Sequence, residues 1–356
     1  MFAVLSFGLT SFGCSAHLND KVVDGKDDRM PRVLPIKWTT FDDTNAAWVV
    51  TSGGRLLSSG DGGRTWLQSE QPGRGFEAVS FINSTQGWAV INSVEVWTTS
   101  DGGQSWKAIG AISRSDGASP GPLGTIRFID KEQGWIISSF GVWKTEDGGT
   151  RWREMGIEAG LDRFRGYLSD CYFIDSNAGW LTGTQGRISK TQDGGKTWQS
   201  QNIVSGNGDI RDISFVNNHS GWIALVNGKG DITSPGIYAT EDGGISWNPV
   251  RIVGHNMQTL SVSFVSESEG WVAGIEVLKA ASGDSSHAVL LHTQNGGRDW
   301  STMYTGQRSS IGDRVYFSNA LSGWLLVRNE GEDCLYHTND GGKTWDESLK
   351  RRVTEG

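Results

Sequence analysis

Charged side chains in this sequence gather at one recurring place, a few residues ahead of a phenylalanine that opens a repeated pattern. They are Lys37, Glu77, Arg127, Asp170, Arg211, Asp212, Asp313 and Arg314, and two more arginines, Arg163 and Arg165, flank Phe164. Guanidinium groups drawn together from separate stretches can grip a polypeptide or a small polar ligand through charge-assisted hydrogen bonds. The interleaved aspartates allow two other outcomes. They can neutralise the arginines and leave a solvated ring, or a pair of them can act as acid and base in glycoside hydrolysis, which needs carboxyls at set separations.

Other chemistry finds little support. The six histidines, at 17, 219, 255, 287, 292 and 337, have no zinc spacing, and no GxSxG, HExxH or phosphate-cradling glycine loop occurs. A formal charge of −8 argues against nucleic acid as a partner. Cys171 and Cys334 fall in distant repeats and read as buried thiols. Neither a cofactor nor a metal is expected.

The elements that must position the charged residues follow from two motifs, each occurring seven times. The first is a box of the form hydroxyl-x-Asp-Gly-Gly-x-x-Trp, from SGDGGRTW at Ser59–Trp66 to TNDGGKTW at Thr338–Trp345. Its acidic position is Asp61, Asp101, Asp147, Asp193, Asp242, Asn295 and Asp340 in turn. Gly-Gly after Asp predicts a turn with positive φ, clamped by the Asp carboxylate and the hydroxyl, with the Trp tucked beneath it. Calcium would need further oxygen ligands at alternating positions, which TEDGGTRW lacks, and Asn295 suits a hydrogen-bond acceptor better than an essential charge.

The second motif is Phe followed seven residues later by Trp, usually preceded by Gly, as in Phe81/Trp88, Phe215/Trp222 and Phe317/Trp324. An alternating segment leads into each Phe, turn-formers fill the gap, and an apolar run follows the Trp. This reads as strand, turn, strand. With the box hairpin, one repeat has four strands, and successive boxes lie 40 to 53 residues apart. Seven such units predict an all-β, seven-bladed β-propeller of four-stranded antiparallel blades over 36–350. Either blades one and seven meet face to face, or Val33–Lys37 joins the last blade.

In a propeller the Phe-to-Trp turn and the box share one face, and both are nearly constant in length. The opposite face carries the variable segments, including Ala108–Gly124, Arg153–Leu168, Asn227–Pro235, Gly274–Ala288 and Ser301–Gly312. Binding is expected there, with the charged residues ringing the mouth of the channel. Residues 1–14 are apolar and end at Cys14, which suggests a secretion or lipoprotein signal with Cys14 as the lipidated residue, followed by a linker over 15–35.

The box resembles the Asp-box, or bacterial neuraminidase repeat, found in sialidases, some glucan-cleaving glycoside hydrolases, sortilin-type receptors and the photosystem II stability/assembly factors. The finer pattern, with GW opening the second strand and T-x-D-G-G-x-x-W closing each blade, is similar to the assembly factors across 36–350. That resemblance implies a non-enzymatic, extracytoplasmic protein, periplasmic or lumenal, and a monomer is expected. It would bind a polypeptide or membrane-protein assembly intermediate through a basic face, and Arg127, Arg211 and Arg314 are suitably placed. The alternative is a glycoside hydrolase. Sialidases resemble one another in a Tyr nucleophile and an Arg-Ile-Pro, for which Tyr172, Tyr316 and Arg29-Met30-Pro31 are the nearest matches, and the glucan hydrolases use opposed aspartates, to which Asp170, Asp212 or Asp313 would correspond.

Overall fold

Each repeat folds as a four-stranded antiparallel sheet whose strands follow chain order, and there are seven such sheets. The computed structural model describes residues 36–41, 46–70, 75–155, 168–203, 208–226, 236–278 and 285–352. The fifth blade is representative, with strands Asp209–Phe215, Gly221–Val226, Ile237–Thr240 and Asn248–Val250. Its second strand is buried from Gly221 to Leu225, as a strand flanked by neighbouring blades must be.

The box works as a clamp. In the second blade the Thr99 hydroxyl accepts the N–H of Gly103 at 3.0 Å and donates to Asp101 Oδ1 at 2.7 Å. Asp101 in turn accepts the Ser105 N–H at 2.9 Å and the Ser105 hydroxyl at 2.5 Å. Gly102 and Gly103 hold φ of 75° and 92°, which no side chain with a Cβ adopts without strain. Trp106 folds beneath and donates from Nε1 to Gly103 O at 3.0 Å. The Gly102 N–H bonds Thr85 O in the Phe-to-Trp turn, so the two constant turns do share a face.

The Phe and Trp of the second motif do not stack within one blade. Trp88 lies on Phe128 of the next blade with centroids 3.8 Å apart, and Trp135 on Phe173, Trp180 on Phe215, Trp222 on Phe264 and Trp271 on Phe317 repeat the arrangement at 3.6 or 3.7 Å. The Gly before Trp follows from the same crowding. A Cβ on Gly221 would come within 2.4 Å of the Phe215 ring.

Among the described residues the ring closes by packing, without strand exchange. Ala47, Val49 and Leu57 of the first blade form one core with Trp324, Leu326 and Leu335 of the seventh. Trp66 Nε1 donates across this seam to Ser348 O at 2.9 Å, and Ile36–Phe41 pairs with the second strand of its own sheet. Two segments expected to be loops are largely strand. The sixth blade extends through Gly270–Leu278, Ser285–Thr293 and Ser301–Arg308, because its apolar alternation continues past the usual blade edge. Cys171 and Cys334 are buried thiols.

Candidate functional site

The first strand of every blade edges the central channel, and each carries a β-bulge at the fourth residue before its Phe. The pairing skips Lys37, Glu77, Arg211, Leu260 and Asp313, and likewise Gly124 and Ser169 in the third and fourth blades. A bulge inserts one unpaired residue and resets which way the following side chains point. It divides the charged residues into two groups.

Arg127, Asp170, Asp212 and Arg314, which stand one or three places before Phe, line a cavity of about 620 Å³ on the axis. Among the described side chains the bulged residues do not. Arg211 is exposed away from the cavity lining, and Asp313 accepts Arg328 Nε at 3.0 Å. Glu77 accepts the N–H of Ser93 at 2.6 Å. Arg211 and Asp313 therefore stand apart from this lining, and the physical reason is the bulge. The side chain of Lys37 lies outside the described residues, as do Arg163, Arg165, Cys14 and the Arg29-Met30-Pro31 run.

An innermost strand exposes N–H groups that no further strand can pair. Here the preceding blade supplies the acceptors. Phe128 N–H bonds Ser80 Oγ at 2.9 Å, Phe264 N–H bonds Ser214 Oγ at 3.0 Å and Phe317 N–H bonds Ser263 Oγ at 2.9 Å. Two residues earlier, Val262 N–H bonds Asp212 Oδ2 at 3.2 Å and Val315 N–H bonds Ser261 Oγ at 3.0 Å. The Tyr172 hydroxyl donates to Phe215 O at 2.9 Å. These serines were missed as single residues, yet they occupy the same repeat positions as the charged residues, and overlaying the seven repeats would have marked them.

Asp170 and Asp212 stand at equivalent positions in adjacent blades but are held differently. Asp212 Oδ1 accepts the N–H of Ile213 at 2.9 Å, and its Oδ2 accepts the Ser261 hydroxyl as well as Val262 N–H. Asp170 Oδ1 accepts the Cys171 N–H at 2.7 Å. Among the described residues no hydrogen bond ties Asp170 Oδ2 to the fifth blade, because that blade presents Asp212 at the position where the sixth presents Ser261 to Asp212. Burial pushes both carboxyls above the ordinary range, against the pull of Arg127 and Arg314 on Asp170 and of Arg314 and Ser261 on Asp212. Burial works against the Arg127 charge too, but Asp170 together with Tyr172, Cys171 and Tyr316 more than restores it. The Arg127 guanidinium also lies over the Tyr172 ring, 5.5 Å from its centroid.

This arrangement suits binding better than hydrolysis. Asp212 has both oxygens committed to struts, and burial pushes the Tyr172 phenol up, whereas a nucleophile needs it lowered. At the boxes, Asn295 keeps the clamp without charge: its Oδ1 accepts the Asp299 N–H at 2.9 Å and its Nδ2 donates to Asp299 Oδ2 at 2.8 Å. Among the described residues no three His, Cys, Asp or Glu side chains are grouped to hold a metal.

The model of the photosynthesis system II assembly factor YCF48 family matches residues 156–232 and 205–355. A solved structure of YCF48 bound to D1 peptide is 20% identical, with a TM-score of 0.60, over 91% of this chain and 95% of that one. YCF48 from Cyanidioschyzon merolae is 17% identical, with a TM-score of 0.63, over 91% and 97% of the two chains. A GH74 xyloglucanase from Xanthomonas campestris is 11% identical over 89% of this chain and 73% of its own, with a TM-score of 0.52. At these identities each likeness speaks for the fold alone. A comparison with curated proteins yields no match.

Proposed function

The chain belongs to the photosynthesis system II assembly factor YCF48 family, and from that premise we propose that it is a non-catalytic propeller which binds a polypeptide segment of a membrane-protein assembly intermediate. The channel lined by Arg127, Asp170, Asp212 and Arg314 is its binding site. The observation that carries this reading is the pair of arginines, brought from the third and seventh blades to one lined cavity beside two tyrosines. Such a lining offers a peptide both charge-assisted hydrogen bonds and aromatic surface. A relative's solved complex with D1 peptide supports a photosystem II polypeptide as the ligand class. An extracytoplasmic location belongs to the same proposal, supported by the apolar start that ends at Cys14.

The test is binding of a fluorescent D1 peptide to the full chain. Arg127→Glu with Arg314→Glu should weaken capture by at least about a hundredfold, since two like charges would replace two attractive ones. Arg211→Glu, outside the channel, should leave capture unchanged. Equal capture by all three proteins would remove the channel from consideration, and turnover of xyloglucan oligomers would favour the hydrolase.

A further inference from the structure

The four charged side chains that line the channel among the described residues sum to zero, which is an odd composition for a site meant to attract one sign of charge. The two carboxylates are not equivalent. Asp212 is a structural acceptor that ties the fifth blade to the sixth through Ser261 and Val262. Asp170 has no such partner on the fifth blade, and one oxygen remains for the channel. It lies within electrostatic reach of both arginines, Arg127 on the blade before it and Arg314 from across the axis. We infer that Asp170 sets the sign of charge the channel accepts: ionised, it screens Arg127 and Arg314 from an anionic ligand group, and protonated, it releases them. This rests on the reading of the channel as the binding site.

The groups that face Asp170 decide whether it can play this part. A guanidinium group carries its charge throughout the working pH range. Tyr172 and Cys171 are pushed upward by burial and remain neutral. Tyr316 also lines the channel, and the second and sixth blades add the hydroxyls Ser80 and Ser263. Asp212 is the other carboxyl present, but taking a proton would set it against the three donors it accepts. Burial raises the Asp170 carboxyl despite the two arginines, so its proton arrives at milder acidity than an ordinary aspartate requires.

The experiment uses the full chain and a fluorescent peptide bearing cysteic acid, whose sulfonates stay ionised throughout. In the wild type, binding should tighten by roughly tenfold as the pH is lowered from neutrality, because the raised Asp170 carboxyl takes up its proton on the way down. Asp170→Asn should bind tightly at neutral and at lowered pH and lose the pH dependence, while Arg211→Glu keeps it. A wild type without pH dependence, or an Asn variant that retains it, overturns the inference.

A second readout does not depend on any ligand. In protein labelled with nitrogen-15 arginine, the Arg127 Nε signal should move with pH in the wild type and stay still in Asp170→Asn. Absence of that movement, or the same movement in both proteins, also overturns the inference. If the signal moves as expected while no peptide binds, control of the channel charge by Asp170 stands and the proposed function fails.

Discussion

Trp180 lies flat on Phe215 of the following blade, with ring centroids 3.6 Å apart and planes 13° from parallel. Phe215 in turn meets its own box residue, Trp247, edge-on at 5.9 Å and 82°. Three aromatics from two blades thus form one unit, and the unit recurs around the ring at Trp135, Phe173 and Trp198 and at Trp271, Phe317 and Trp345. The repeated spacing in the sequence is the imprint of contacts between repeats.

Trp180→Ala should therefore cost about 3–5 kcal/mol, as expected for removing a buried aromatic whose site cannot collapse. Trp180→Phe keeps a stacking ring and should cost less than half as much. Urea denaturation followed by far-ultraviolet circular dichroism measures both. Equal losses would mean that the box hairpins, and not the blade-to-blade stacks, hold the ring together.

Asp101→Ala removes the acceptor for the Ser105 N–H and hydroxyl and should destabilise by about 1–2 kcal/mol, as losing a turn or cap acceptor does. Asp101→Asn should cost less than about 1 kcal/mol, since the Ser105 hydroxyl can turn to accept from the new amide. Asn295 already shows a box working in this form. Thermal melting of the two variants separates a clamp from a charge; an Asn variant as damaged as the Ala variant would point to a role for the carboxylate charge itself.

Two kinds of aspartate give the protein opposite pH responses. Burial opposes the Asp101 charge, but the hydroxyl and N–H donors of Ser105 and Thr99 prevail and hold its pKa at about 2. A depressed carboxylate contributes stability that is complete above its unfolded value of about 3.8 and is lost as pH falls towards its folded value. Asp61, Asp147, Asp193 and Asp340 are shifted the same way, so the melting temperature should drop steeply from about pH 4 to about pH 2. Asp170 is raised, so ionising it on the folded protein costs stability as pH climbs through its folded pKa. Asp170→Asn should then melt higher than the wild type at neutral pH, with the difference vanishing below about pH 3.8. Melting curves against pH check both signs, and a destabilised Asn variant at neutral pH would contradict the second.

Much of this architecture is legible in the sequence. The seven boxes and seven Phe/Trp pairs count the blades, and the Gly-Gly positions mark where φ must be positive. The invariant Phe-to-Trp spacing places one aromatic at each end of a hairpin. The partner of each ring was not legible, because a Trp in one repeat and the Phe of the next are brought together by stacking of whole blades. The ring closure was hidden for the same reason, since nothing local in Trp66 or Ser348 marks them as neighbours across the seam.

The candidate site divides in the same way. Residue type and repeat position were enough to nominate charged side chains near the axis, because periodic hydrophobicity fixes which strand is innermost. Strict alternation could not separate Arg211 from Asp212 or Asp313 from Arg314, since a single unpaired residue in each first strand shifts the phase. Nor could it tell Asp170 from Asp212. Their different fates depend on whether the neighbouring blade presents a carboxylate or the Ser261 hydroxyl, and that juxtaposition exists only once the blades are packed side by side.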